Sequence, residues 1–429
     1  MENNKKYLKL LAQKYPTKQA VSSEIINLSA ICNLPKGTEH FMSDIHGEYE
    51  AFCHILNNCS GVIHEKVDLL FRDTLSNVER QEICTLIYYP KEKLEMLHKE
   101  CELPEEWYRM MLGNLIEVAK LLSSKYTRSK VRKAMPKEFA YIIDELLHVQ
   151  KDEDDNQVRY HKVILDTILN IHNGDEFIIA LANLIKRLAV DHLHIVGDIF
   201  DRGKDVPQIF WLFYKLEKEA ADAGGHVSFL LGNHEPLVTA NDLRYTKEKY
   251  KTLARKLGMD YPALFGPDTE LGKWLGTRNT MQTIGPNLYV HAGLGKEFYD
   301  RDLNIPTVNE EMSRALFMSK KERKALSPLT AFLYGNSGPI WYRGLVRTDA
   351  KYHPLAQDSL QLMLKRYDVE HIIVGHTIFK DISTFYDGRV IGVNVDNEEN
   401  RKKKRGRALL IDGNTYLVVG DKGAMRKLF

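Results

Sequence analysis

The chain has 429 residues, 44% of them hydrophobic and 28% charged, with a formal net charge of +2. This is enough chain for a substantial core, and too little net charge for a nucleic-acid or membrane partner spread over the whole surface. No stretch approaches the roughly 18 apolar residues of a membrane span, and the opening MENNKKYLKLLAQKYP lacks the apolar core and cleavage site of a secretory signal, so a soluble, cytoplasmic protein is expected.

In chain order, five cysteines come early, at Cys32, Cys53, Cys59, Cys84 and Cys101. Their number is odd and none forms a CxxC pair, which predicts buried thiols in a reducing compartment. The first strand pattern, HFMSDIHG, ends on Asp44 and His46. Alternate residues of an extended segment point the same way, so these two side chains can reach one cation. Alone, such a pair is more often a turn.

The next strand pattern, LHIVGDIFDRG, comes only at Asp198. A gap this long exceeds what a crossover between neighbouring strands needs, so an insertion fills it. Apolar residues at three- and four-residue spacing in EEWYRMMLGNLIEVAKLLSSKY and KEFAYIIDELLHV predict helices. The expected organisation is a core beginning at 1–60, a helical insertion at 61–190, and the remaining core at 191–429 with a C-terminal hairpin edge. The acidic KDEDDNQ and the basic RKKKRGR at 401–407 read as solvated loops. The basic TRSKVRK at 127–133 reads as a solvated helix face; Arg128, Lys130, Arg132 or Lys133 could alternatively meet the second phosphate of a bisphosphate.

Three further strand patterns end on polar residues, VSFLLGNHE on Asn233 and His234, LYVHAG on His291, and HIIVGHT on His376. In layered α/β folds ligand sites form outside the carboxyl ends of strands. Asp44, His46, Asp198, Asn233, His291 and His376 therefore make a set of oxygen and nitrogen donors for two divalent ions, manganese favoured, with iron, zinc or cobalt as alternatives. Two such ions clamp a phosphoryl group and activate a water for in-line attack. His234, oriented by Asp201, is the natural general acid, while Arg202 and Arg343 offer forked donors to phosphate oxygens. Arg343 could equally anchor a loop. His192, His194 and His371 lie within strands and read as core histidines.

These motifs, in this order, resemble the calcineurin-like metallophosphoesterases, which include the phosphoprotein phosphatases. The resemblance implies an α/β fold, a two-sheet β-sandwich flanked by helices. It also implies Asp44, His46 and Asp198 around one metal, and Asp198, Asn233, His291 and His376 around the other. His234 with Asp201 matches the proton-donating pair and Arg202 a phosphate-binding arginine. Residues of about 15 to 210, with SEIINLSAICNLPKGTEHFMSDIHGEYEAF and RLAVDHLHIVGDIFDRG, resemble class III fructose-1,6-bisphosphatase. Residues of about 225 to 395, with GNHEPLVTANDLRY and GPIWYRGL, resemble the Shewanella-like and phosphoprotein phosphatases. The two halves agree on metal chemistry and differ on substrate. A small phosphate ester, fructose-1,6-bisphosphate in gluconeogenesis, is favoured over a phosphoprotein, and an inactive metal-binding scaffold is a minor third reading.

Overall fold

The computed structural model describes residues 2–32, 38–148, 155–403, 406–420 and 425–429. Residues 151–154 of the acidic stretch and 404–405 of the basic cluster lie outside the described residues.

Short apolar runs form two stacked sheets. The first contains β1 (Thr38–Met42), β2 (His192–Ile195), β3 (His226–Phe229), β9 (Ala408–Asp412), β10 (Thr415–Val419) and β11 (Met425–Lys427), in the order β11-β10-β9-β1-β2-β3. The second contains β4 (Met281–Ile284), β5 (Asn287–Val290), β6 (His371–Val374), β7 (Ser383–Phe385) and β8 (Val390–Gly392), in the order β4-β5-β6-β8-β7. Within them β1, β2 and β3 run parallel, as do β5, β6 and β8. All residues of β1, β5 and β6 are buried, as expected for strands covered on both faces. The Asp-Gly turns behave as tight-turn residues, with Gly388 at φ 87° and Gly413 at φ 59°. The hairpin of β9 and β10 extends the first sheet antiparallel from β1, with β10 and β11 outermost, and β7 is the antiparallel edge of the second.

Phe41, Val196, Leu230, Tyr289, Ile373, Ile391 and Leu409 fill the space between the sheets. The segment between β1 and β2 is helical and packs on the outer face of the first sheet. In the helix Glu105–Ser123, Leu112, Leu115, Ile116, Ala119 and Leu122 recur at helical spacing and are buried. They share one apolar cluster with Phe177, Leu181, Leu184 and Leu188 of the helix Gly174–Ala189 and with Met42, Ile195 and Phe229 of the sheet. Each such buried leucine contributes roughly 1.5–3 kcal/mol. A separate cluster around Leu288, Val290, Met312, Leu360 and Ile372 covers the outer face of the second sheet.

Among the described cysteines no disulfide forms. Cys59 and Cys84 are buried, and burial pushes both thiols up to about 12. Cys101 is exposed and Cys53 half-buried, which corrects the expectation of uniformly buried thiols. Cys101 directly follows the helix Pro90–Glu100 in extended conformation, outside the packed face.

Candidate metal centre

β1, β2, β3, β5 and β6 all end at one place, and the turns that follow them carry the candidate residues. Asp44, His46, Asp198, Asp201, Arg202 and His376 all have positive φ, between 47° and 69°. This conformation is uncommon for residues with a Cβ and costs on the order of 1 kcal/mol or more each. Concentrating it at the strand ends turns successive side chains inward. Backbone bonds tie the turns together, from Asp44 N–H to Gly197 O and from His46 N–H to Asp198 O, each 3.0 Å. Close approach explains two glycines. A Cβ on Gly232 would fall 2.2 Å from Asp198 Oδ1, and one on Gly375 would fall 1.8 Å from Ser43 Oγ.

The structure brings all ten candidate residues together. Asp198 Oδ2 lies 3.2 Å from His291 Nε2, 3.8 Å from His46 Nε2 and 3.9 Å from His234 Nε2. His291 Nε2 is 3.1 Å from Asn233 Oδ1, and His46 Nε2 is 3.7 Å from Asp44 Oδ1. Two overlapping groups result, His46 with Asp198 and His234, and Asp198 with His291 and His376, the potential ligand atoms within each lying inside 4.8 Å. Asp44 Oδ2 accepts from the backbone N–H of His376 at 2.9 Å and from Ser43 Oγ. His234 Nδ1 bonds Asp201 Oδ2 at 2.7 Å, and Thr246 Oγ1 donates to Asp201 Oδ1 at 2.6 Å. Arg202 reaches His234 Nε2 at 3.5 Å, and Arg343 Nε donates to His376 Nε2 at 3.1 Å.

The donor set fits divalent cations on a direct observation. His46 Nδ1 donates to Phe200 O at 2.8 Å, which puts the lone pair on Nε2, a buried atom with no hydrogen-bond partner. His291 Nδ1 donates to Val196 O at 2.6 Å, which leaves its Nε2 facing the Asp198 carboxylate and the Asn233 amide oxygen. Such an arrangement of acceptors needs positive charge between them. The titration behaviour has the same cause. Burial opposes charge on His291, yet Asp198 and Asp44 hold its imidazole up at about 9. Burial pushes Asp44 up to about 6, Asp198 adding to the rise, and pushes His46 down to about 3. His234 is also buried, but Asp198 and Asp201 leave its pKa raised.

Sequence reasoning missed Glu235. Its fully buried carboxylate accepts backbone N–H bonds from Gly232 at 2.7 Å, Ile199 at 2.8 Å, Asp198 at 3.2 Å and Phe200 at 3.3 Å. It thus clamps the turn that carries Asp198 to the turn that carries Asn233. Burial and Asp198 together raise it to about 7. The signal was visible as the last letter of GNHE, but a carboxylate that serves the backbone has no metal-ligand spacing to give it away. Thr246 and Tyr245, whose ring lies 5.2 Å from that of His234, carried no motif.

The stretch at 127–133 is not at this centre. Lys130 pairs with Asp191, which precedes β2, and Arg132 pairs with Asp144 at 2.6 Å. Asp191 lies at the opposite ends of the strands, so Lys130 turns away from this centre, and Arg128, Arg132 and Lys133 are exposed, the solvated helix face expected of this stretch rather than its alternative role at a second phosphate. Of the helical segment, the helix Tyr49–Asn57 does reach the mouth. Ala51, Phe52 and Ile55 line a cavity of about 450 Å³ together with Asp44, His46, Arg202, Asn394, Asp396 and Arg407.

Comparison with known proteins gives a family. The model of Firmicute fructose-1,6-bisphosphatase matches residues 6–237, and that of the calcineurin-like phosphoesterases matches residues 163–378. Among curated proteins, a fructose-1,6-bisphosphatase class 3 of Clostridium acetobutylicum is 52% identical over 237 residues, and one of Clostridium botulinum is 49% identical over 235. Each match covers 55% of this chain but 34% of the relative, so the chain matches about a third of the length of these proteins. Among solved structures, a cold-active protein-tyrosine phosphatase of a psychrophilic Shewanella species is 35% identical with TM-score 0.50, covering 56% of this chain and 69% of that one. The chain therefore belongs to the calcineurin-like phosphoesterase family and, over residues 6–237, to the Firmicute fructose-1,6-bisphosphatase family.

Proposed function

We propose that this chain is a metal-dependent phosphomonoesterase whose substrate is a sugar bisphosphate, fructose-1,6-bisphosphate first among them, cleaved at one phosphate. The observation that carries the reading is the convergence of oxygen and nitrogen donors from five strand ends beside a hydrogen-bonded His234–Asp201 pair at 2.7 Å. Asp44, His46 and Asp198 would hold one divalent ion, and Asp198, Asn233, His291 and His376 the other, with manganese the first choice and iron, zinc or cobalt compatible with the same donors. Bound there, two such ions supply the Lewis acidity and the activated water that phosphate hydrolysis needs.

The remaining work falls to side chains. Arg202 and Arg343 take the peripheral oxygens of the phosphate with planar, forked donors. His234 delivers a proton from Nε2 to the leaving oxygen, and Asp201 on Nδ1 fixes the ring and keeps that nitrogen the donor. Thr246 in turn fixes Asp201. A second phosphate needs a cation outside the metal centre. Arg407, on the wall of the adjoining cavity and 3.2 Å from Asp381, supplies it in place of the 127–133 stretch.

No described helix is long and apolar enough to cross a membrane, which accords with a cytoplasmic place in sugar-phosphate metabolism, gluconeogenesis being the expected one. The likeness of the structure to a protein-tyrosine phosphatase favours a second reading, a phosphoprotein substrate. Protein stripped of metal and reloaded with manganese separates the two, assayed on fructose-1,6-bisphosphate, phosphoserine and phosphotyrosine peptides and an aryl phosphate. The proposal requires the largest kcat/KM on the bisphosphate; preference for either peptide overturns it.

A further inference from the structure

We propose a second cation site at the opposite ends of the same three strands, where Glu39, His192 and His194, with His226 at the rim, hold a zinc-type divalent ion that clamps β1, β2 and β3 together. The site does not depend on the reading of the metal centre above.

Its geometry follows from register. Glu39 pairs with His192 across β1 and β2, and His192 with His226 across β2 and β3. Neighbours in parallel register share a face, and His192 and His194, two apart on one strand, share it too. A carboxylate oxygen of Glu39 and one nitrogen of each of His192 and His194 lie within 4.8 Å of one another. The ring of His226 is 6.3 Å from that of His192 and 6.0 Å from that of His194, themselves 6.0 Å apart. Three imidazoles and a carboxylate match the four-coordinate preference of zinc.

The surroundings are those of a ligand site. Glu39 is 3% exposed and His194 4%, whereas His226 is open to solvent and gives a path for entry. Ser228 Oγ lies 2.5 Å from His194 Nδ1, the bond that orients a ligating ring through its other nitrogen. Phe41 stacks on His194 at 4.8 Å and on Tyr289 at 4.5 Å, closing the inner side against the apolar inter-sheet core. The same strands carry Asp44, Asp198 and Asn233 just beyond their far ends, so an ion at the base would hold the register on which the upper centre depends.

The test is zinc content. Full-length protein is stripped, reloaded with zinc chloride, and passed through gel filtration in metal-free buffer. Wild type should retain one more zinc per chain than His192→Gln/His226→Gln, and His291→Ala should keep the base ion. Cobalt in place of zinc should give an intense tetrahedral absorption band that the double variant loses and His291→Ala retains. Equal zinc content and equal spectra for wild type and the double variant overturn the proposal. Should the double variant fail to fold, anomalous difference maps at the zinc edge from wild-type crystals decide: a peak between Glu39, His192 and His194 supports the site, and none there refutes it.

Discussion

The two sides of the first sheet use charge in opposite ways. At the carboxyl ends of its strands, buried Asp198 faces His291 and His234 at 3.2 and 3.9 Å and buried Asp44 faces His46 at 3.7 Å, with Asp44, His46 and Asp198 on backbone held at positive φ. On the helical side, charges such as Arg132 and Asp144 or Arg109 and Glu105 pair at the surface, on regular helix. The first arrangement is costly until cations arrive and is aimed at chemistry. The second adds little, since exposed pairs contribute about 0–1 kcal/mol, and stability there comes from leucine packing. Function and stability should therefore separate by mutation.

The sharpest break of that comparison is at Asp198. Asp198→Asn should lose measurable turnover and metal content together, because the carboxylate shared by both donor groups is gone, while the metal-free variant melts no lower than metal-free wild type. Atomic absorption and calorimetry read the two effects; normal activity at full metal occupancy contradicts the assignment. Next in size is His234→Ala, expected to keep its metals yet slow esters with poor leaving groups by about 10² to 10⁴. An activated aryl phosphate should suffer less, and equal losses on both substrates count against the acid role.

On the helical side the expectation reverses. Leu115→Ala should lower unfolding free energy by about 2–5 kcal/mol in denaturant titrations, with kcat/KM per folded molecule kept. A matching loss of activity would mean that the helical layer and the metal centre are coupled. Arg407→Ala tests the boundary between the regions. KM for fructose-1,6-bisphosphate should rise several-fold with the aryl phosphate unaffected, and parallel changes would remove Arg407 from substrate binding. The smallest effect belongs to Arg132→Ala, which should leave both melting temperature and KM where they were.

Much of the metal centre was legible because its residues follow apolar strands in fixed local patterns. Asp44, Asp198, Asn233, His291 and His376 each end such a run, and buried parallel strands have one place to converge. Groups that act through backbone or through strand register left no such trace. Glu235 serves four N–H groups, and Thr246 steadies Asp201 from a loop without a motif. Glu39 and His192 became neighbours only through the pairing of β1 with β2, across the whole helical segment. TRSKVRK is the solvated helix face its composition indicated, while its alternative role at a second phosphate was beyond the sequence, since a basic helix face carries no record of which end of the sheet it covers.

Anomalous diffraction from manganese-loaded crystals tests the central claim most directly. The account predicts two peaks at the strand ends, one among Asp44, His46 and Asp198 and one among Asp198, Asn233, His291 and His376, with Asp198 touching both. A single peak, or ions that leave Asp198 untouched, would contradict it.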